Sequence, residues 1–315
     1  VHYLASAGWN VAVRRVSESF ASYIFVAAIF NVVLLFGLSR IYPWTNLQLM
    51  ESDHILHGKI GYFSTIFFSA RVLIFTAVVC FFAWQLIGNS VRQDDEGGVA
   101  MWQRQKPLSA LFLVLFAPLM TMFAVDVIKS LDPKWFSTMF GVYVFVGFVQ
   151  ASVATLIVAV NKLQKLGYLQ HVTADHYHDL GKYLFGFSVF WAYIGVSQYL
   201  LIWYANLPEE TTYYIMREHK GWVWFSLLLP AVRFVLPFLL LLPRMAKRTP
   251  GYLVKVAYIV MFGAWLDLYL MIMPNFSPER FGFSLFWDVG LFLGFAGVFL
   301  FTVRRFLAQN NTAPV

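Results

Sequence analysis

The chain has 315 residues, of which 60% are hydrophobic, 19% aromatic and only 12% charged. Water-soluble domains carry about 25% charged residues, so this composition excludes an ordinary soluble protein and predicts a protein that resides in a lipid bilayer. The formal net charge of +7 does not indicate nucleic-acid binding, because the excess positive charge lies in short links between apolar runs and forms no single patch.

Apolar runs of about twenty residues, the length of one helical membrane crossing, follow one another along the chain. A transmembrane β-barrel would instead show alternating segments of roughly ten residues. Residues 1–13 are apolar but too short to cross, and we interpret them as the end of a truncated helix, which implies at least one further span upstream. Over 1–315 we predict a single all-α, polytopic integral-membrane domain with eight full spans. The predicted spans are 19–37, 61–86, 108–127, 136–160, 182–204, 221–242, 251–272 and 284–303.

Lysine and arginine in alternate links predict the orientation of these spans. Twelve lie on one side, called the basic side below, and seven lie on the opposite side. We therefore expect the basic side to be cytoplasmic. The opposite side carries the longer, aromatic and acidic links 39–60 and 206–221, which we interpret as docking surface for partner proteins.

Ionisable residues inside spans are candidates for function, because a charge at mid-bilayer costs several kcal/mol. Arg71 and Arg233 fall near the centres of their predicted spans, where a guanidinium needs an acidic partner or a wet cavity. Asp126, Asp267 and Asp288 lie toward the opposite-side ends of theirs. Two interpretations stay open: a proton route, and structural ion pairs that join either arginine to Asp267 or Asp288. For Asp126, an interfacial carboxylate at a helix end is the simpler alternative.

Two further groups of titratable residues lie toward the basic side. Lys255 is about one turn inside its span, and snorkelling to the headgroups is the simplest interpretation. His176, His178, Asp179 and Lys182 cluster at the start of a span. The start of a proton path explains this cluster better than a metal site does, and a solvated helix start is the other interpretation. Sorted by depth, the candidates form a series of polar side chains, called the ladder below, that could carry protons part or all of the way across the membrane. The candidates are His2, Arg71, Asp126, His176, His178, Asp179, Arg233, Lys255, Asp267 and Asp288.

Histidine and cysteine usage argues against a metal cofactor held by this chain. Counted along a continuous helix, His2 lies about 18 Å from Arg14, which places it in the opposite half of the membrane. The other six histidines fall in links, so the facing pair of axial ligands that a b-type haem needs is not expected. The single cysteine, Cys80, excludes a disulfide framework, a Cys-ligated zinc and a Cys-held iron–sulfur cluster within this chain.

Two prolines flank one of the buried arginines. Pro230 and Pro237 lie within the same predicted span as Arg233. Because proline frees backbone carbonyls from the helical hydrogen-bond ladder, we expect those carbonyls to solvate the Arg233 guanidinium.

Several longer strings resemble a known family. They are HYLASAGW at 2–9, SLDPKWFSTMFGVY at 130–143, HDLGK at 178–182, FWAY at 190–193, SQY at 197–199 and WYANLPEET at 203–211. Together they resemble the NrfD-like membrane subunits of bacterial alternative complex III, most closely the second of its two such subunits, over nearly the whole chain.

This resemblance implies a multi-pass subunit of a quinol-oxidising respiratory complex in the bacterial inner (cytoplasmic) membrane. It implies about ten spans in two four-helix bundles with two further helices. The partners it implies are a paralogous NrfD-like subunit, an iron–sulfur subunit and c-type cytochrome subunits, which pass electrons to cytochrome c or an oxidase. The iron–sulfur and haem cofactors would lie on these partners, and the paralogue is the subunit usually assigned the working quinol site.

Three functions are compared on this basis. The leading hypothesis is a cofactor-free, non-catalytic subunit that docks partners and contains a proton-conducting polar chain. In the second, this chain binds the quinone itself, and His2 with a carboxylate such as Asp126 takes the quinol protons. The third is a secondary transporter, which usually shows internal repeats and spans broken near the midplane; the sequence shows no convincing repeat.

Overall fold

The computed structural model describes residues 2–5, 8–97, 100–218, 221–278 and 285–310. Within these ranges all regular secondary structure is helical. Eight helices are long and apolar enough to cross a membrane, which confirms the prediction of an all-α, multi-pass membrane protein. They are α1 (Val11–Phe36), α2 (Thr65–Asp94), α3 (Met101–Leu131), α4 (Phe140–Lys165), α5 (Ala174–Ala205), α6 (Trp222–Leu241), α7 (Pro250–Asn275) and α8 (Phe286–Gln309).

Some of these spans change helical type along their length. The α-helix of α2 continues to Glu96, and that of α3 begins at Ala100. The composite spans are α1, with Val11–Ala21 and Ile24–Phe36; α3, with Ala100–Val127 and the 3₁₀ turn Lys129–Leu131; α6, with Trp222–Pro230, the π-helical turn Ala231–Val235 and Leu236–Leu241; α7, with Pro250–Ile272 and the 3₁₀ turn Met273–Asn275; and α8, with the π-helical turn Leu285–Val289 and Gly290–Gln309.

Short helices occupy several links between the spans. On the basic side they are His2–Ala5, the 3₁₀ turn Gly8–Asn10 and Arg244–Arg248; on the opposite side they are Leu38–Ile41, the 3₁₀ turn Pro43–Thr45, Leu47–Ser52, His54–His57 and Pro208–Glu218. Two of the opposite-side helices have side-chain N-caps. Asn46 accepts hydrogen bonds from the amides of residues 48 and 49, and Asp53 accepts them from those of residues 55 and 56.

Helices α4 to α7 form a four-helix bundle. Helix α4 packs against α5 and α7, and α6 packs against the same two helices. The basic half of this bundle is an apolar core that includes Ile157, Leu184, Leu253 and Val260. The opposite half contains tryptophans and tyrosines that have polar edges.

Helices α1 to α3 form a second unit beside the bundle. Helix α2 packs against α1 and α3, and α3 packs against α4 and so joins the two units. The α3–α4 contact is close at Gly141, where a Cβ atom would clash with Thr121. Helix α8 packs along the first part of α1, with Phe299 against Phe20 and Tyr23.

The first span begins earlier than the sequence predicts. Helix α1 starts at Val11 and not at residue 19, because Arg14 and Arg15 are buried within it and do not lie in a link. The continuous helix assumed for His2 is also wrong, since Gly8–Asn10 is a separate 3₁₀ turn. The ring of Tyr3 lies 5.7 Å from Arg14 Cζ, so this segment lies at the basic end. The side chain of His2 lies outside the described residues.

Candidate functional site

The most deeply buried ion pair lies inside the α4–α7 bundle. Arg233 of α6 donates through Nη1 to Asp267 Oδ2 of α7, and each residue is only 2% exposed. Arg233 is 11 residues from the first residue of α6, or about 16 Å along the helix axis. The bundle thus keeps a charged pair deep in the membrane, and this pair is one of the pairings that the ion-pair interpretation left open.

Neutral groups complete the hydrogen bonding of the Arg233 guanidinium. Its Nε donates to Gln150 Oε1 at 2.7 Å, and its Nη2 donates to the Gly147 carbonyl at 2.7 Å. The Gln150 amide is fixed in turn, because its Nε2 donates to Ser188 Oγ at 2.8 Å and to the Arg233 carbonyl at 3.0 Å. The guanidinium also lies 4.8 Å from the centre of the Trp191 ring, within cation–π range.

The Asp267 carboxylate accepts two further hydrogen bonds. Tyr143 donates its hydroxyl to Oδ1 at 2.7 Å, and Trp191 donates Nε1 to Oδ2 at 3.3 Å. Each of the four bundle helices therefore contributes to one polar network, called the bundle cluster below: Tyr143, Gly147 and Gln150 from α4, Ser188 and Trp191 from α5, Arg233 from α6 and Asp267 from α7.

Local sequence explains how α6 presents Arg233. The π-helical turn Ala231–Val235 follows Pro230 and contains the arginine, and such turns change the direction in which a side chain leaves the helix. Gly147 permits the close approach, since a Cβ atom there would lie 2.8 Å from Arg233 Nη2. The expectation that α6 carbonyls freed by proline solvate the guanidinium is wrong, because the carbonyl that binds it belongs to Gly147 of α4.

A second buried pair joins α2 to α3. Arg71 binds Asp126 in a bidentate manner, with Nε to Oδ2 at 2.7 Å and Nη2 to Oδ1 at 2.9 Å. The Tyr62 hydroxyl donates to Asp126 Oδ1 at 2.9 Å, and the Tyr62 carbonyl accepts a hydrogen bond from Arg71 Nη1 at 3.1 Å. The Tyr62 ring also stacks on the Arg71 guanidinium, with its centre 3.9 Å from Cζ. Phe67 covers the guanidinium at 4.3 Å. We call this group the α2–α3 cluster.

The position of this second pair corrects three sequence-based expectations. Arg71 is six residues from Thr65, the first residue of α2, or about 9 Å along the helix, so it lies closer to the opposite surface than to the centre. Its partner is Asp126, and pairing with Asp267 or Asp288 is wrong. Asp126 is buried and bidentately paired, so it is no free interfacial carboxylate.

The α2–α3 cluster is attached to the opposite-side link that follows α1. Ser130 donates its hydroxyl to the Asp126 carbonyl and accepts a hydrogen bond from Trp44 Nε1 at 3.2 Å. Tyr42 donates to the Val127 carbonyl at 2.9 Å. Because Trp44 and Tyr42 belong to the link, these hydrogen bonds connect the opposite-side surface to the end of α3 that contains Asp126.

Burial and nearby negative charge keep the tyrosines of this link protonated. The pKa of Tyr62 is raised to about 12, first by burial and then by Asp126. The pKa of Tyr42 is raised by the same two effects in the same order. Both phenols therefore act as neutral hydrogen-bond donors at physiological pH.

The predicted histidine and aspartate cluster at the start of α5 is accounted for by helix capping. The His176 ring accepts from the Thr173 amide at 3.1 Å, and Thr173 completes a capping box. Asp179 pairs with Lys182 at 2.7 Å, where both side chains are partly exposed. His178 is half-buried beside them. The solvated helix start, one of the two interpretations, describes this geometry.

The two remaining ladder residues lie apart from the bundle cluster. Lys255 is exposed on α7, which fits snorkelling. Asp288 is half-buried in the π-helical turn of α8, and Tyr269 of α7 donates to its Oδ2 at 3.5 Å. Tyr269 packs against Trp265 and Trp222, so Asp288 lies at the edge of the bundle and not inside it.

The polar residues do not form a continuous ladder through the bundle. Between the bundle cluster and the capped start of α5 lies the apolar core that includes Ile157, Leu184 and Leu253. Among the described residues, the polar side chains of this bundle therefore cluster in its opposite half, around the Arg233–Asp267 pair.

Sequence reasoning missed the buried residues that lie between this pair and the opposite surface. Arg217, assigned to a link, is buried, and its Nε and Nη2 donate to the carbonyls of Leu270 at 2.9 Å and Met271 at 3.2 Å. It stacks 3.4 Å from the Tyr213 ring, which stacks 4.1 Å from Trp135. The polar residues Gln150 and Tyr143 within an apolar span were the available signal for the bundle cluster.

Metal coordination finds no support in the part of the chain that the structure describes, where no group of three or more His, Cys, Asp or Glu side chains is placed to hold an ion. No family model matches this chain, and no curated protein is significantly similar to it. The geometry of the two clusters and the sequence strings are therefore the basis for a functional proposal.

Proposed function

We propose that the chain is an NrfD-like integral-membrane subunit, of the ActF type, of a quinol-oxidising respiratory complex in the bacterial inner membrane. Its role is to dock the paralogous NrfD-like, iron–sulfur and c-type cytochrome subunits and to conduct protons along part of the membrane. The haem and iron–sulfur cofactors belong to those partners, and this chain binds none. The strings at 130–143 and 203–211 support the family, and the two buried clusters support the proton role.

The bundle cluster carries the proton proposal. A proton that arrives from the opposite side reaches Asp267 Oδ1 through the hydroxyl of Tyr143, its donor at 2.7 Å. Protonation of Asp267 removes the charge that Arg233 faces, while Gln150 and Gly147 continue to bind the guanidinium. The cluster thus has two protonation states within one hydrogen-bonded frame, which is the property a proton-accepting site needs.

Aspartate-to-asparagine variants in the assembled complex test this role. Asp267→Asn removes the proton acceptor and preserves size, so we expect at least a tenfold loss of proton translocation per quinol oxidised, with electron transfer less affected. Asp175→Asn, which alters an exposed pair with Arg248, is the matched control and should leave both activities unchanged. If Asp267→Asn assembles and translocates protons as the wild type does, the cluster is structural.

One observation weakens the alternative in which Asp126 takes quinol protons. Both of its carboxylate oxygens are already bonded, one to Arg71 and the other to Arg71 and Tyr62. Three of the roughly four acceptor positions of this carboxylate are therefore occupied, which leaves one for a quinol hydroxyl. We therefore place quinol oxidation in the paralogous subunit; photo-crosslinking of a quinone analogue to this chain in the assembled complex would contradict that assignment.

A further inference from the structure

A third group of buried charges lies at the basic ends of α1 and α2. The Arg15 guanidinium, 0% exposed, binds Glu18 through Nη1 at 2.6 Å and Asp94 through Nη2. It also contacts Ser90, both at Oγ and at the carbonyl, at 3.4 Å. Arg14 Nε lies 3.7 Å from Glu18 Oε1. Two cations and two anions therefore share one buried site, which we call the basic-end cluster.

Unmet hydrogen-bonding atoms concentrate around this cluster. The buried side-chain atoms without a hydrogen-bond partner here are Tyr3 OH, Asn10 Oδ1, Arg14 Nε, Arg15 Nε, Gln93 Oε1, Asp94 Oδ1 and Gln105 Oε1. Among the described residues, one further atom of this kind, Gln198 Oε1, lies elsewhere in the chain.

These residues converge from four segments. Tyr3 lies over Arg14, and Asn10 directly precedes α1. Gln93 is the neighbour of Asp94 at the end of α2. Gln105 of α3 donates its Nε2 to the Leu86 carbonyl at 2.9 Å, one turn from Ser90. The unmet atoms are thus gathered at one end of the α1–α3 unit.

The chemistry of the unmet atoms identifies the ligand. More than nine-tenths of buried polar groups in proteins have a hydrogen-bond partner, so several unpartnered atoms in one place indicate a missing one. Both donors, such as Arg15 Nε, and acceptors, such as Asp94 Oδ1, are unmet. The formal charges of Arg14, Arg15, Glu18 and Asp94 cancel, so neither an anion nor a cation is favoured. Water both donates and accepts, and buried water makes about three hydrogen bonds to such groups.

We propose that the basic-end cluster is a binding site for several buried water molecules. These waters bridge the unmet atoms of Tyr3, Arg14, Arg15, Gln93 and Asp94. They give the α1–α3 unit a hydrated end on the basic side, in contrast to the apolar basic half of the α4–α7 bundle. The use of this site for proton exchange rests on the proposed function, whereas its hydration does not.

Radiolytic hydroxyl-radical labelling in ¹⁸O-water of the purified full chain tests the hydration directly, because radicals form from water held next to a side chain. Tyr3 is 8% exposed and Tyr177 is 1% exposed with its hydroxyl bonded to Gln164. We expect Tyr3 to be labelled at least fivefold faster than Tyr177, at a rate approaching that of exposed Tyr204. Equal, slow labelling of Tyr3 and Tyr177 would overturn the proposal.

A second test uses a substitution that should raise the Tm if the site is dry and lower it if the site holds water. If the site is dry, Gln93→Met removes an unsatisfied acceptor and raises the Tm. If water is bound, the same change removes a water ligand and lowers it, which is the result we expect. Gln164→Met, which removes hydrogen bonds to Tyr177 and the Val172 carbonyl, lowers the Tm in either case and shows that the assay responds. Neither test depends on proton translocation, so the outcome is separate from that of the proposed function.

Discussion

Removing one member of the Arg233–Asp267 pair should destabilise the bundle more than removing both. Arg233→Met leaves the Asp267 carboxylate with Tyr143 and Trp191 as donors but without a cation. Asp267→Leu leaves the guanidinium with two neutral acceptors. An uncompensated charge at a site with 2% exposure costs about 3–5 kcal/mol, so each single variant should lose about that much free energy of unfolding.

The double variant Arg233→Met with Asp267→Leu buries no charge. What remains is the loss of partners for Tyr143, Trp191 and Gln150, at about 1–3 kcal/mol for each buried group left unsatisfied. The corresponding single variant bears each of these losses as well, so they cancel in the coupling energy. We therefore expect the double variant to be more stable than either single variant, with a coupling energy of about 3 kcal/mol or more.

Equilibrium unfolding of the purified chain in detergent, followed by tryptophan fluorescence, measures these differences. The matched control is the cycle Arg248→Met with Asp175→Leu, at an ion pair whose side chains are 27% and 73% exposed. Its coupling should not exceed about 1 kcal/mol, because water screens exposed pairs. If the coupling energy between Arg233 and Asp267 is as small as that of the control pair, the argument that the low dielectric of the bundle interior strengthens this ion pair is refuted.

Three further predictions concern the opposite side and the helix contacts. Arg217→Met should lower the free energy of unfolding by about 2–4 kcal/mol, since two carbonyls at the end of α7 lose a charged donor. Gly141→Ala should cost about 1–3 kcal/mol because its Cβ meets Thr121, whereas Gly186→Ala meets nothing within 4 Å and should be tolerated. The pKa of Tyr62 is higher in the folded state, about 12, than in the unfolded chain, about 10, so its protonated hydroxyl stabilises the fold below pH 10 and this contribution is lost as the pH rises toward about 12. Tyr62→Phe has no hydroxyl to titrate, so its free energy of unfolding should fall less steeply over that interval.

The number and type of the spans follow from local properties of the sequence. Runs of about twenty apolar residues predict a crossing wherever they occur, and all eight predicted spans have a helix in the structure. The start of α1 was missed because its length depends on a distant residue. Arg15 is tolerated inside a helix since Asp94, at the end of α2, binds it, and a single-segment hydropathy argument does not include that contact.

The ion pairs show the same division between local and tertiary information. Depth alone left either arginine free to pair with Asp267 or Asp288, and the bundle brings Arg233 and Asp267 together. Depth alone also suggested the centre of the membrane for Arg71, but α2 extends beyond the predicted span, which moves Arg71 toward the opposite surface and next to Asp126. At the start of α5, His176 had two local interpretations, and the capping contact with Thr173 describes it.

The distribution of polar groups restricts how a proton could use this fold. In the α4–α7 bundle, the polar half faces the opposite side and the basic half is apolar. In the α1–α3 unit, polar clusters lie at both ends, and a hydrogen bond from Asn31 of α1 to Thr76 of α2 at 3.0 Å lies between them. Asp94 is 18 residues beyond Thr76 on α2, about 27 Å along the helix axis.

Within the residues that the structure describes, neither unit by itself therefore provides an unbroken chain of polar side chains across the membrane. A static proton wire would need water through the apolar core, which lacks the polar partners that hold it there. Under the proposed function, the route through the described side chains ends at Asp267, and transfer beyond it depends on whether Arg233 stays paired with Asp267. If the chain has the proposed function, the change in the Arg233–Asp267 contact, and not the length of the ladder, is the step that its partner subunits have to control.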